Sequence, residues 1–176
     1  MTKERETLQE WISASDNIVF FGGAGVSTES GIPDFRSADG LYAQRYPHPP
    51  ETMVSRSFFD AHPREFFDFY CDRMLALRKQ SPDGVPRCPR CGTIVKPDVV
   101  LYEEPLDDGT VTAAVRAIAS ADLLVIAGTS LAVYPAAGLI DYFSGDHLAI
   151  INRTPTPRDA HADLCIATNV GKVLGY

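Results

Sequence analysis

The chain has 176 residues, 45% of them hydrophobic, which is enough for one core and within the ordinary size of a single domain. Its formal net charge of -7 opposes a broad nucleic-acid footprint, and no stretch approaches the roughly 20 apolar residues that cross a bilayer. The start, Met1-Thr2-Lys3-Glu4-Arg5-Glu6, is polar with no apolar signal core, and four cysteines, two of them close together, do not make a secreted disulfide scaffold. A soluble, cytoplasmic protein with no nucleic-acid or membrane partner is expected.

Leu8, Trp11 and Ile12 fall at helical spacing and predict an amphipathic helix from about Lys3 to Ser13. A buried strand over 17–22 follows, then a glycine turn and a helix broken at Gly31-Ile32-Pro33. Tyr46-Pro47-His48-Pro49-Pro50 reads as a loop, and Phe58 to Leu77 as mostly helical, its aromatics packing a small module. From Val99 the elements alternate. Strands are predicted near Val99–Tyr102, Leu123–Ala127, Leu148–Ile151 and Leu164–Ala167, with helices near Val111–Ala119 and Ala136–Phe143. Such alternation implies an α/β, Rossmann-like, mostly parallel sheet with helices on both faces.

The run Gly22-Gly23-Ala24-Gly25-Val26-Ser27-Thr28 after the apolar Ile18–Phe21 has the form of a phosphate-cradling turn. Small residues let the backbone approach a diphosphate, so a dinucleotide is the leading ligand. Thr28 stands where G-x-G-x-x-G has its third glycine, which makes a plain Rossmann dehydrogenase a poor fit. Gly128-Thr129-Ser130 and Asn152-Arg153-Thr154 each follow the carboxyl end of a predicted strand, where open sheets bind ligands.

With its extension Gly31-Ile32-Pro33-Asp34-Phe35-Arg36, the glycine run resembles the sirtuins, the silent-information-regulator family of NAD-dependent protein lysine deacylases. Further blocks carry the resemblance in order: Phe66–Tyr70, Cys88-Pro89-Arg90-Cys91-Gly92, Lys96–Glu104, Gly128–Ala137 and Ile151-Asn152. It implies one NAD-binding domain over 1–176, with residues about 37–97 forming a reduced helical and half-zinc-ribbon insertion. It also implies NAD contacts from Gly23, Ala24, Gly25, Thr28, Asp34, Phe35, Arg36, Gly128, Thr129, Ser130, Asn152 and Arg153. Taken singly, Ser27 and Thr28 could cap a helix instead, and Arg36 could pair with Asp34 or Glu29. Val100, Leu101, Tyr102, Ala132 and Val133 resemble the strands that hold an acylated-lysine peptide on either side.

The family carries a further segment between the helix ending near Leu77 and the Pro86-Arg87-Cys88 block, with a general-base histidine, a nicotinamide-gripping motif and a first Cys-x-x-Cys pair. This chain runs straight through Arg78–Gly84 instead. The sheet is therefore expected to lack part of its usual strands, leaving strand 17–22 as an edge, with either reduced stability or a homodimer that covers it as the consequence. Cys88 and Cys91 are the metal candidates, but a closed structural zinc site takes four ligands, so zinc within one chain is incomplete. Two chains sharing one zinc through their pairs is the alternative. Cys71 and Cys165 read as buried small hydrophobes.

In the family, the acyl-lysine carbonyl oxygen attacks the nicotinamide ribose and a histidine then deprotonates a ribose hydroxyl; no histidine here carries that context. The expected function is NAD or ADP-ribose binding with little or no deacylation. The alternatives are an active NAD-dependent deacylase or NAD-consuming enzyme with the missing groups supplied elsewhere, and a product of internal deletion with no function of its own.

Overall fold

The structure, a computed structural model, describes residues 2–43, 46–73 and 83–175. It comprises two compact units, Met1–Gly40 with Asp108–Tyr176, and Leu41–Asp107. Among the described residues, no helix is long and apolar enough to cross a membrane.

The first unit is built on four parallel strands, β1 (Ile18–Gly22), β2 (Leu123–Ala127), β3 (His147–Ile151) and β4 (Leu164–Ile166), in the order β1-β2-β3-β4. β2 is buried along its whole length, as a continuous apolar run in the middle of a parallel sheet requires. Helix α1 (Lys3–Ala14) and helix α6 (Val170–Leu174) cover one face, where Leu8, Val170 and Val173 meet Leu123, Val125 and Ala149. Helix α5 (Asp108–Ser120) and a 3-10 helix at Ala136–Tyr142 cover the other, where Ile118, Ala137 and Ile140 meet Leu124, Ile126 and Ile150. Helices thus lie on both faces, as the alternation predicted.

A doubly wound sheet reverses its strand order beside its first strand; among the described residues this one runs in sequence order, with β1 at the edge. The cost is visible in exposure: on the face that α1 and α6 cover elsewhere, Ile18 is 41% and Phe20 48% exposed. The amino end of β1 is tied down by Asp122, whose carboxylate accepts the Asp16 amide at 2.9 Å and the Asn17 amide at 3.1 Å. Asn17 returns a bond from Nδ2 to the Ser120 carbonyl at 2.7 Å.

The second unit is a small aromatic module. Helices α2 (Pro50–Met53), α3 (Arg56–Ala61) and α4 (Pro63–Arg73) pack Phe58, Phe59, Phe66, Phe67, Phe69 and Tyr70 into one core with Met53, Val54, Val85 and Leu101. The rings meet mostly edge to face, with Phe59 and Phe66 centroids 5.1 Å apart at 83° and Phe66 and Phe67 5.3 Å apart at 87°. The Ser55 hydroxyl caps α3 by accepting the Phe58 amide at 3.2 Å, and Pro63 opens α4, where its missing N–H is harmless. The helical expectation for Phe58–Leu77 holds to Arg73 with a break at His62; residues 74–77 lie outside the described ones.

Four expectations are corrected. Val99–Tyr102 is not a strand: Tyr102 makes one isolated bridge to Ser55, and Val99 and Val100 are exposed, so its apolar run has no sheet to bury it. The segments after the glycine turn and at Ala136–Tyr142 are 3-10 helices of seven residues rather than α-helices. Both are too short to gain from α-helical propagation, and both contain glycine. Cys165 is exposed rather than buried, because β4 is a three-residue edge strand, whereas Cys71 is partly buried against the phenylalanine core. Helix α6 is an addition rather than a correction, since five residues carry too little periodicity to read from sequence.

Candidate cofactor site

All four strands of the first unit end at one cleft of about 790 Å³, lined by the loops that follow Gly22, Ala127, Ile151 and Ile166. The carboxyl ends of parallel strands are where such loops fan out, leaving backbone and short polar side chains facing a common space. Gly23, Ala24, Gly25, Thr28, Asp34, Phe35 and Arg36 line it from the first loop. Gly128, Thr129 and Ser130 line it from the second, and Asn152 and Arg153 from the third, so the structure brings all twelve sequence-chosen positions together. Val133 also lines the cleft, while Ala132 beside it is exposed and does not.

The glycines of the turn are dictated by loop packing as much as by a ligand. The Gly23 amide donates to the Ala127 carbonyl at 2.9 Å and the Gly25 amide to the Gly128 carbonyl at 2.8 Å. A Cβ on Gly23 would sit 2.6 Å from the Gly128 oxygen, and one on Gly25 2.7 Å from it. Behind the turn, Thr28 Oγ1 donates to the Gly25 carbonyl at 2.9 Å. The far end of the 3-10 helix is pinned by Glu29, whose carboxylate accepts the Gly171 amide of α6 at 2.6 Å.

Charge is arranged across the cleft. Asp34 accepts the Ser37 amide at 3.0 Å and lies 3.7 Å from the Arg153 guanidinium, which joins the β1 loop to the β3 loop. Arg153 is half exposed, so its head group can be shared with a ligand. Arg36 stands on the same wall. On the second loop the Leu131 amide donates to Thr129 Oγ1 at 3.1 Å, and Leu131 holds φ at 50° with its side chain buried. A non-glycine residue in that region is held there by its surroundings, here beside a cleft. Asn152 Nδ2 donates to the Thr154 carbonyl at 2.8 Å.

Sequence reasoning missed Thr168, Asn169 and Val170, which line the fourth side. The signal was present: Thr-Asn directly after the last strand, with Asn169 at the N-cap of α6, follows the same end-of-strand rule as the other three loops.

Among the described residues, no histidine lines the cleft. His147, at the opposite end of β3, stacks on Trp11 with centroids 4.1 Å apart at 6°, and His161 sits exposed in a 3-10 helix. His48 and His62 belong to the second unit, both in ring contact with Phe58.

In the second unit the candidate peptide residues are largely committed. Leu101 is buried in the aromatic core and its amide donates to Glu104 Oε2 at 2.8 Å; that bond, with Lys96 and Arg56 alongside, holds the Glu104 carboxyl below its ordinary range. Tyr102 donates its amide to the Val54 carbonyl and accepts the Arg56 amide. Val100 is exposed.

Cys88 and Cys91 form a knuckle: the Gly92 amide donates to the Cys88 carbonyl and the Cys88 amide to the Thr93 carbonyl, both at 2.9 Å, with Gly92 at φ 72°. Cys91 Sγ lies 3.2 Å from Thr93 Oγ1; hydrogen bonds with the Thr93 side chain and backbone and with Cys88 hold the Cys91 thiol below its ordinary pKa. Among the described residues there is no cluster of three metal-ligating groups, so the pair does not fit a closed four-ligand zinc site within one chain.

The Sir2 family model matches residues 23–83 and 70–135. The two matches overlap at 70–83. An NAD-dependent protein deacetylase of Clostridium perfringens is 45% identical, covering 96% of each chain, and its 233 aligned positions outnumber the 176 residues here, so the alignment opens gaps. Among solved structures, one described as "Structural Basis for the Mechanism and Regulation of Sir2 Enzymes" superposes with a TM-score of 0.86 at 29% identity, covering 99% of this chain and 96% of that one. A Sir2 complex with a deacetylated peptide and 3'-O-acetyl ADP-ribose gives 0.84 at 25% identity, covering 95% and 94%.

Proposed function

Because the chain belongs to the Sir2 family, we propose that its end-of-strand cleft holds NAD, the cofactor of NAD-dependent protein deacylation, and that the chain alone binds NAD or ADP-ribose with little or no deacylation. The observation that carries the binding claim is the convergence of twelve motif residues from three loops on one cleft of about 790 Å³. That convergence supports a dinucleotide because the wall mixes what its parts need. Arg36 and Arg153 offer fixed guanidinium forks to diphosphate oxygens, Asp34 offers an acceptor to ribose hydroxyls, and Thr129, Ser130 and Asn152 offer neutral polar groups. NAD, when bound, supplies a ribose carbon that parts from nicotinamide. Phe35 and Val133 would shield that end from water, and Val133 and Ala132 would meet the acyl-lysine peptide.

The restriction to binding rests on the proton. General-base assistance is worth about a hundred- to ten-thousand-fold, and no histidine lines the cleft among the described residues. The overlap of the two family matches at 70–83 supports loss of an internal segment as the reason. The open edge of β1 supports pairing with a second copy, and four free cysteines suit a reducing, cytoplasmic setting.

A second reading, an active deacylase, is favoured by one fact: the 45% identical relative is named as one. Nicotinamide release with an acetyl-lysine peptide separates the two. The binding reading expects no release above a protein-free control at enzyme concentrations that saturate with NAD. Steady turnover would establish the active enzyme.

A further inference from the structure

Resting on the dinucleotide reading of the cleft, we propose that Glu29 is a positioning residue for the cofactor. Its hydrogen bond to Gly171 sets the spacing between the wall that carries Thr28 and the wall that carries Thr168, Asn169 and Val170. The bond joins two residues that each stand one position beyond the cleft: Thr28 lines it and Glu29 follows, Val170 lines it and Gly171 follows. Two walls far apart in sequence are thereby tied directly behind the surfaces they present to a ligand.

Each partner has a reason to need the other. The N-cap of α6, Asn169, makes no side-chain capping bond, so the amides of the first turn are left to acceptors from elsewhere. Glu29 Oε2 supplies one by accepting the Gly171 amide at 2.6 Å, and a carboxylate suits the positive end of a helix. The 3-10 helix that carries Glu29 is held at its front by the Gly25 amide on the Gly128 carbonyl at 2.8 Å and ends at Gly31, whose φ is 80°. Gly128 thus holds its front and α6 its rear, and Thr28 faces the cleft from between them. Without the rear bond the front one becomes a pivot.

The fit is close enough to dictate glycine at 171. A Cβ there would lie 2.7 Å from Glu29 Oε2 and 3.1 Å from its carboxyl carbon. Alanine would therefore push the carboxylate off the Gly171 amide, although alanine is the better helix former. The bond can be broken from either side, and neither Glu29 nor Gly171 lines the cleft among the described residues. An effect of either on cofactor affinity passes through the spacing of the walls.

The test is calorimetric titration with NAD of the full chain, of Glu29→Ala, Glu29→Gln and Gly171→Ala, and of the double variant, each well below its melting temperature and shown to be folded by far-UV circular dichroism. Glu29→Ala is expected to weaken Kd about ten-fold, and Glu29→Gln, whose amide oxygen still accepts the Gly171 N–H, to stay within about three-fold of the parent. Gly171→Ala should cost about ten-fold in the parent but less than about two-fold once Glu29→Ala is present, because the clash then has no target. A merely structural role would lower melting temperatures and leave the Kd of folded samples unmoved. Glu29→Gln and Gly171→Ala carry the comparison where Glu29→Ala does not fold. Parent-like affinity in Gly171→Ala, an equal loss from it in both backgrounds, or a Glu29→Gln as weak as Glu29→Ala would overturn the proposal while leaving the cofactor reading in place. A parent chain that takes up no NAD would remove that reading, and the proposal with it.

Discussion

The Gly25 amide donates to the Gly128 carbonyl at 2.8 Å, which locks the turn after β1 against the turn after β2 with no side chain between them. Gly128 holds φ at 57°, and a Cβ there would lie 2.4 Å from the Val26 nitrogen and 2.6 Å from the Gly25 carbonyl carbon. Gly128→Ala should therefore destabilise by about 1 to 3 kcal/mol through strain and overpacking. Urea denaturation should show a lower midpoint with an unchanged slope, and NAD affinity should fall in the same variant because both turns line the cleft.

Arg36 is exposed on the cleft wall, so truncating it opens no cavity in a packed core. Loss of a charge-assisted bond to a phosphate is worth roughly 1.5 to 3 kcal/mol, or about a ten- to hundred-fold weaker Kd. Arg36→Ala should show that loss in an NAD titration while its melting temperature stays within a degree or two of the parent.

Much of this was legible because the signals were local. β2 was readable to the residue, since an unbroken Leu-Leu-Val-Ile-Ala run bounded by Asp122 and Gly128 has no place but the centre of a sheet. The cleft was readable because its loops begin where strands end. Val99–Tyr102 was misread because an apolar run announces burial without saying against what, and here Pro97 and Asp98 precede a stretch whose Val100 faces solvent. The fourth wall, Thr168–Val170, was missed because a short helix after a short strand shows neither period clearly.

Acid should loosen the first unit through Asp122. Burial disfavours its charge, but the amides of Asp16 and Asn17 outweigh burial and hold its carboxyl below its ordinary value of 3.8. A depressed folded-state pKa gives stability that is complete above the unfolded value and is lost as pH falls through the folded one. The melting temperature should therefore drop on acidification below about pH 4, and less steeply in Asp122→Asn than in the parent.

Self-association should run through β1. Phe20 is 48% exposed on a strand that is an edge among the described residues, and such an edge can template another chain. Phe20→Lys should reduce association in sedimentation at high concentration without lowering stability, because the lost side chain is half in water already.

The central claim is that the end-of-strand cleft binds a dinucleotide, and calorimetric titration of the purified chain with NAD tests it most directly. The account predicts saturable heat at one NAD per chain, competed by ADP-ribose. No saturable heat from a folded sample, confirmed by its circular dichroism, would contradict it.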